Sequence, residues 1–390
     1  MSTEDPSRRE FLQATVAASA AAATPARFRD FYFAALHRNA IVGSSFLLLH
    51  ENAVPVEHFY GYSQLEKKIP IDRNTCFHWA SITKTFTGIA VMQLRDRGLV
   101  RLDDPAIPYV PELRQVHNPY GPTEAITIRH LLTHSAGFRS PTWPWRTEPW
   151  QPFEPTQWSQ IVAMLPYTNV EFRPGSRHSY SNLGIVFLGQ IIERLTDDDY
   201  EVYIDKNILK PLEMDQSYFD QSPYHLLPHR SHSYFLEKGK LTEAPFNFDT
   251  GITVSNGGLN APIEDMQKYL SFLLGNGREN RYESVLRRSS LEEMFEKQLD
   301  IASSDSSQLV TSKGKDSIGL AFFRHEQGGR LYVGHGGNQN GFLSHFYLDL
   351  PGRSAYLVVY NTDAEDPSQN TSKLDLEIRD YLMDRTMAGG

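Results

Sequence analysis

The sequence predicts an α/β (α+β) protein in which one antiparallel sheet, built from both chain ends and flanked by terminal helices, carries an inserted, mainly α-helical region. Three observations lead there. Strand-like alternation occupies Ser44 to His50 and Val54 to Gly61, and it returns between Ser317 and Tyr360. Between them lie segments with the apolar spacing of helices. No internal repeat or linker divides the chain.

In order, Arg27 to Asn39 has helical spacing at Phe28, Tyr32, Ala35 and Leu36. The two N-terminal strands flank Glu51-Asn52-Ala53 and read as a hairpin. Trp79 to Gly98 reads as an amphipathic helix with Ile82, Phe86, Ile89, Ala90 and Leu94 on one buried face, and Gly98 as its stop. Leu102-Asp103-Asp104-Pro105 is a turn, Thr127 to Leu132 a helix, and His134 to Gly137 its end.

Arg139 to Trp158 holds Trp143, Trp145, Trp150 and Trp158 among prolines 141, 144, 149, 152 and 155. So much proline excludes regular helix over most of it. Its rings either anchor a long loop or line an apolar substrate gorge, with Trp143, Trp145 and Trp150 the candidate substrate contacts. Phe172-Arg173-Pro174-Gly175 is a turn that delivers Tyr180-Ser181-Asn182 to a helix over Leu183 to Leu195. Helices follow over Tyr200 to Leu209 and Ile263 to Leu274, and residues 281–300 read as helical and solvated. Strands are expected at Gly319 to His325, Arg330 to Gly334, Leu343 to Asp349 and Ser354 to Tyr360, then a last helix from Leu374 to Met387.

The 390 residues, 40% hydrophobic and 22% charged, suffice for an ordinary globular core. A net charge of −9 argues against nucleic acid as a partner, and no apolar run beyond the first 25 residues is long enough to span a membrane. The single cysteine, Cys76, excludes an internal disulfide and a cysteine-cluster metal site, and it reads as a small buried hydrophobe. Ser7-Arg8-Arg9-Glu10-Phe11-Leu12 before the alanine-rich stretch Ala14 to Ala23 resembles a twin-arginine export signal, which predicts a periplasmic or secreted protein; otherwise the segment is a short helix and the protein cytoplasmic.

Ser81 and Lys84 lie at i and i+3 of one helix, where side chains are about 5–6 Å apart. Lys84 can take the hydroxyl proton if its surroundings keep some of it neutral. A serine at a helix start also has free backbone N–H groups beside it for an oxyanion. The pattern alone is weak, because Ser312-Lys313-Gly314-Lys315 matches it within a polar loop, and Tyr167-Thr168-Asn169 likewise imitates Tyr180-Ser181-Asn182. Tyr167 lacks the preceding turn and the following helix and is assigned to packing.

Taken together, Ser81-Ile82-Thr83-Lys84, Tyr180-Ser181-Asn182, the run Thr127 to Gly137, and Gly334-His335-Gly336-Gly337 with Asn338 and Gly341-Phe342 resemble the serine β-lactamase and penicillin-recognising family, in its class C-like branch. The resemblance implies a β-lactamase-like fold: a single domain over 27–390, with its α/β part near 27–80 and 310–390 and its helical part near 81–309, and the twin-arginine pattern makes 1–26 its expected leader. It implies an acyl-enzyme on Ser81, with Lys84 and Tyr180 sharing the proton work. It further implies that Asn182 bonds Lys84 and the substrate amide, and that the N–H groups of Ser81 and Asn338 form the oxyanion hole. The strand carrying His335, Gly336 and Gly337 is expected to line the site. No cofactor or metal is called for.

β-Lactamases usually carry Lys-Thr-Gly where this chain has His335-Gly336-Gly337. Histidine supplies no permanent cation for a β-lactam carboxylate. The expected substrate is therefore a small ester, amide or short peptide, making the enzyme an esterase or D-amino-acid peptidase. A class C-like β-lactamase or DD-carboxypeptidase is the alternative, and a sensor that acylates without turnover a further one. Sequence alone does not address the oligomeric state. The chain lacks the G-x-S-x-G elbow of α/β-hydrolases and the second histidine of H-E-x-x-H.

Overall fold

The computed structural model describes residues 27–51, 53–138, 155–275, 279–302 and 314–386. The leader, Trp143, Trp145, Trp150 and the Ser312-Lys313 decoy lie outside the described residues.

Nine strands form the largest sheet among the described residues: β1 (Gly43–His50), β2 (Ala53–Gln64), β3 (Ile69–Pro70), β4 (Leu299–Asp300), β5 (Lys315–Ile318), β6 (Phe323–Gln327), β7 (Arg330–Gln339), β8 (Phe342–Asp349) and β9 (Ser354–Tyr360). Their spatial order is β3-β2-β1-β9-β8-β7-β6-β5-β4, antiparallel throughout. The pairing of β1 with β9, Leu47 opposite Leu357, joins the two chain ends inside the sheet. Both ends are thus needed for one sheet.

Its strands bury both faces. Leu47, Leu49, Phe346, Leu357 and Val359 face one core, and Phe46, Leu48, Tyr347, Tyr356 and Val358 face the other. Period-two alternation therefore sorts side chains between two apolar layers, which explains the nearly continuous hydrophobic runs. The second core is closed by α1 (residues 27–38), through Phe28, Tyr32 and Leu36, and by the C-terminal helix, through Leu374 and Ile378.

The first core contains α2 (Thr83–Asp96). The expectation of one buried face needs correction, since every residue from Thr83 to Leu94 is buried. The helix is central, and its polar positions are satisfied locally: Thr83 donates to the Ala80 carbonyl at 2.6 Å, Thr85 to Ile82 at 2.7 Å, and Thr87 to Ser255 at 2.6 Å. Threonines on the apparently polar face can enter a core because their hydroxyls bond backbone carbonyls. Packed against α2 is α3 (Asn182–Thr196), capped by the Ser181 hydroxyl, which accepts from the Gly184 N–H at 3.2 Å.

Other boundaries move. Gly319 to Phe322 is a turn between β5 and β6, not part of one strand: Gly319 N–H donates to the Phe322 carbonyl at 2.8 Å, and Ala321 adopts φ 62°. Residues 281–300 divide into helices Glu279–Val285 and Arg288–Phe295 and the edge strand β4, and Leu291, Met294 and Phe295 are buried rather than solvated. The mainly helical part also contains short strands that lack long alternating runs, including Tyr218–Phe219, Tyr234–Glu237 and Leu259–Pro262. The last helix runs over Thr371–Tyr381 and widens into a π-turn over Leu382–Thr386. Cys76 is buried, and burial pushes its thiol up to about 12, so it remains an inert hydrophobe.

Candidate active site

The site lies where the start of α2, the start of α3 and β7 meet. Trp79 anchors the first of these: its N–H donates to the Leu259 carbonyl at 2.9 Å and its indole N–H to the Ala261 carbonyl at 2.8 Å. A 3₁₀ turn, Ala80–Ile82, then presents Ser81, and Ala80 takes the left-handed φ of 48° that this reversal demands. In the first turn of a helix the Ser81 N–H has no partner within that turn.

Lys84 is fully buried. Its amine donates to Ser81 Oγ at 2.9 Å and to the Asn256 carbonyl at 2.7 Å. The i, i+3 spacing thus delivers the expected contact, while the carbonyl is supplied from far along the chain. Asn256 was not legible from the sequence, because a backbone oxygen leaves no residue signature.

Tyr180 completes the group. Lys84 Nζ lies 5.1 Å from the centre of its ring, and the Ser81 side chain hydrogen-bonds its hydroxyl. Burial raises the phenol pKa and the bond to Ser81 offsets part of that rise, so the phenol stays protonated at neutral pH. Tyr167, the imitator, is 72% exposed at the end of a 3₁₀ turn over Leu165–Tyr167, far from the packing role expected of it.

The third wall is β7. A β-carbon added to Gly337 would come within 2.3 Å of the Trp79 carbonyl oxygen and 3.1 Å of Ser81 N, so glycine alone permits this approach. Asn338 follows it on the strand, and its side chain bonds Asp363, leaving the backbone as its contribution to the site. His335 is 1% exposed, and its Nδ1 donates to the Gly336 carbonyl at 2.6 Å. That bond puts the lone pair on Nε2, which has no hydrogen-bond partner among the described residues. Burial first, and then the charge of Lys84, bring the His335 pKa down to about 3, so the ring is neutral.

One expected contact is not made. Asn182 Oδ1 is buried and accepts no hydrogen bond among the described residues, so it does not receive one from Lys84. Lys84 donates to Ser81 and Asn256. His134 also enters the site, with its ring 4.4 Å from that of Tyr180. It lies in the run Thr127 to Gly137 that contributed to the family resemblance, but nothing in its spacing marked it as functional.

No metal-binding group of histidine, cysteine, aspartate or glutamate exists among the described residues, and no helix among them is long and apolar enough to cross a membrane. The arrangement presents a nucleophilic hydroxyl, an amine and a phenol on it, and backbone donors beside it. Those are the parts of an acyl-transfer site.

Comparison with known proteins agrees. A family model described as Beta-lactamase matches residues 26–378. The curated Protein flp of Staphylococcus aureus (strain COL) is 28% identical over 254 residues, 65% of this chain and 49% of that protein. The chain thus spans about half the length of that relative. Among solved structures, the octameric penicillin-binding protein homologue from Pyrococcus abyssi superposes with a TM-score of 0.77 at 26% identity, covering 93% of this chain and 78% of that one. The D-stereospecific amidohydrolase from Streptomyces sp. gives a TM-score of 0.68 at 20% identity over 90% of this chain and 97% of its own, a likeness of fold.

Proposed function

The chain belongs to the beta-lactamase family of serine hydrolases, and from that premise we propose that it cleaves a carboxylic ester or a D-amino-acid amide through an acyl-enzyme on Ser81. The observation that carries this reading is the pair of hydrogen bonds from Lys84, to Ser81 Oγ at 2.9 Å and to the Asn256 carbonyl at 2.7 Å. They hold the amine against the hydroxyl it serves.

In the proposed cycle Ser81 Oγ attacks the carbonyl carbon while its proton passes to the neutral form of the Lys84 amine, directly or through the Tyr180 hydroxyl, which gives up its own proton as it takes one. The carbonyl oxygen gains charge beside the N–H groups of Ser81 and Asn338. The same pair then protonates the leaving alcohol or amine as the bond to carbon breaks. Water attacks the acyl carbon in turn, losing a proton to the pair, and the pair returns a proton to Ser81 Oγ as the acyl–oxygen bond breaks. The raised phenol pKa favours Tyr180 as a relay, accepting one proton as it gives up another.

The neutral, buried His335 favours esters and amides over β-lactams, since it offers a lone pair and not a cation to a substrate carboxylate. The D-stereospecific amidohydrolase among its structural neighbours is in keeping with an amide substrate. A class C-like β-lactamase or DD-carboxypeptidase is the second reading; fast turnover of a chromogenic cephalosporin would favour its β-lactamase form.

Time-resolved intact mass spectrometry with p-nitrophenyl butyrate, a D-amino-acid amide and a chromogenic cephalosporin tests the proposal. Turnover of the first or second through an adduct mapped to Ser81, lost in Ser81→Ala with the fold intact, is expected; activity retained in that variant overturns it. We propose also that the Arg8-Arg9 leader directs export. Fractionation of cells making the full chain checks this, and purely cytoplasmic protein contradicts it.

A further inference from the structure

His134 holds Tyr180 from three directions. Its carbonyl accepts the N–H of Ser179 at 2.8 Å, and its Nδ1 accepts the N–H of Ser181 at 3.2 Å. The two residues flanking Tyr180 are therefore tied to one histidine. Its ring also packs on the Tyr180 ring, with centroids 4.4 Å apart and planes 32° from parallel. On the Tyr180 ring's other contact, Phe323 stacks at 6.3 Å and 18°.

The clamp requires an unusual backbone. His134 adopts φ 51°, a left-handed conformation that costs a residue with a β-carbon about 1–2 kcal/mol. The short helix Ile128–Leu132 ends just before it, and the reversal turns its carbonyl toward Ser179 and its ring toward Ser181. Strain held in this way next to reacting groups commonly serves their placement.

The ring is also held in one chemical state. Because Nδ1 accepts from a backbone N–H, it is unprotonated and Nε2 carries the hydrogen. Burial, followed by the neighbouring His178, Lys84 and His335, lowers the His134 pKa well below that of a free histidine. Protonation, which would break the bond to Ser181, is thereby disfavoured at neutral pH.

We propose that His134 is a positioning residue, which fixes the Tyr180 phenol against Ser81 by clamping the peptides on either side of it and packing on its ring. This rests on the proton-relay role of Tyr180 proposed above. His134 touches no reacting atom; it acts through Tyr180. A displacement of about 1 Å at such a group costs about 100-fold in rate.

The test combines His134→Ala, His134→Asn, Tyr180→Phe and the double variant His134→Ala/Tyr180→Phe, assayed with p-nitrophenyl butyrate after titration of Ser81 by a fluorophosphonate probe. Asparagine tolerates a positive φ and offers a side-chain oxygen to the Ser181 N–H. His134→Ala is expected to keep its titratable serine and its KM while kcat per titrated site falls about 100-fold. His134→Asn is expected to recover about tenfold of that loss, and the double variant to be no slower than Tyr180→Phe.

A merely structural residue would give fewer titratable sites with unchanged kcat per site, which overturns the proposal. Fully multiplicative effects of the two single changes also overturn it. If His134→Ala does not fold, the same cycle run with His134→Asn decides between those outcomes. Unchanged kcat in Tyr180→Phe removes the relay role itself and with it this inference, a result distinct from failure of the His134 variants alone.

Discussion

Lys84 Nζ lies 2.9 Å from Ser81 Oγ one helical turn away, and its side chain is fully buried. Lys84→Met preserves length and volume while removing the amine. Its kcat/KM for p-nitrophenyl butyrate is expected to fall about 10²–10⁴-fold. Urea unfolding is expected to report a change of no more than about 1–3 kcal/mol, because the Asn256 carbonyl loses its partner while a buried polar amine is removed.

Gly337 can approach the Trp79 carbonyl only without a side chain. Gly337→Ala places a methyl group 2.3 Å from that oxygen, so β7 or the Ser81 turn must move. Both carry the proposed oxyanion donors. Steady-state kinetics should show kcat lower by about 100-fold or more with a nearly unchanged KM. Unaltered kcat would place the oxyanion donors elsewhere.

Asn182 Oδ1 is buried without a hydrogen donor among the described residues, while Lys84 donates to Ser81 and Asn256. The free acceptor suits a substrate N–H, which an amide has and an ester lacks. Asn182→Ala is therefore expected to lower the ratio of amide to ester kcat/KM by about 5–10-fold. Equal losses on both substrates would instead point to a role in the shared chemistry.

Stability should rise with pH on the acid side. His335 and His78 have folded pKa values brought down by burial to about 3 and about 4 from 6.5, and that of His134 is also lowered well below 6.5. The unfolded chain binds more protons there, so these contributions are complete above pH 6.5 and are lost as pH falls toward the folded values. Asp220, raised by burial from 3.8 to about 7, works in the opposite direction, as do the raised carboxyls of Glu193, Glu201 and Asp363. Against them stand these three histidines, the lowered His58 and His130, and the carboxylates of Asp96, Asp103, Asp104 and Glu112, whose lowered pKa values also make stability rise with pH. Denaturant titrations between pH 4 and pH 7 should show the loss, with His335→Gln reducing the slope by up to about 1.4 kcal/mol per pH unit. An unchanged slope in that variant would show that His335 is not kept neutral by the fold.

Much of the site could be read before any coordinates. Ser81 and Lys84 are neighbours through helix geometry alone, and Ser181 caps α3 as a serine before an apolar helical run should. Tyr180 was separable from Tyr167 by its preceding turn and following helix, although the exposure of Tyr167 was not. The Gly319 turn was missed because its flanks are as apolar as the strands it separates. The burial of α2 on every side was missed because threonine looks polar until its hydroxyl finds a carbonyl.

By itself the sequence determined what depends on short separations: the longer helices and strands, the pairing of Ser81 with Lys84, and the absence of a permanent cation at His335. The tertiary structure decided what depends on chain segments far apart. It brings the Asn256 carbonyl to Lys84, presses Gly337 against Trp79, and sets His134 on Tyr180. Helical and strand periods constrain neighbours within a few residues, whereas contacts between distant segments are selected by the packing of the whole core.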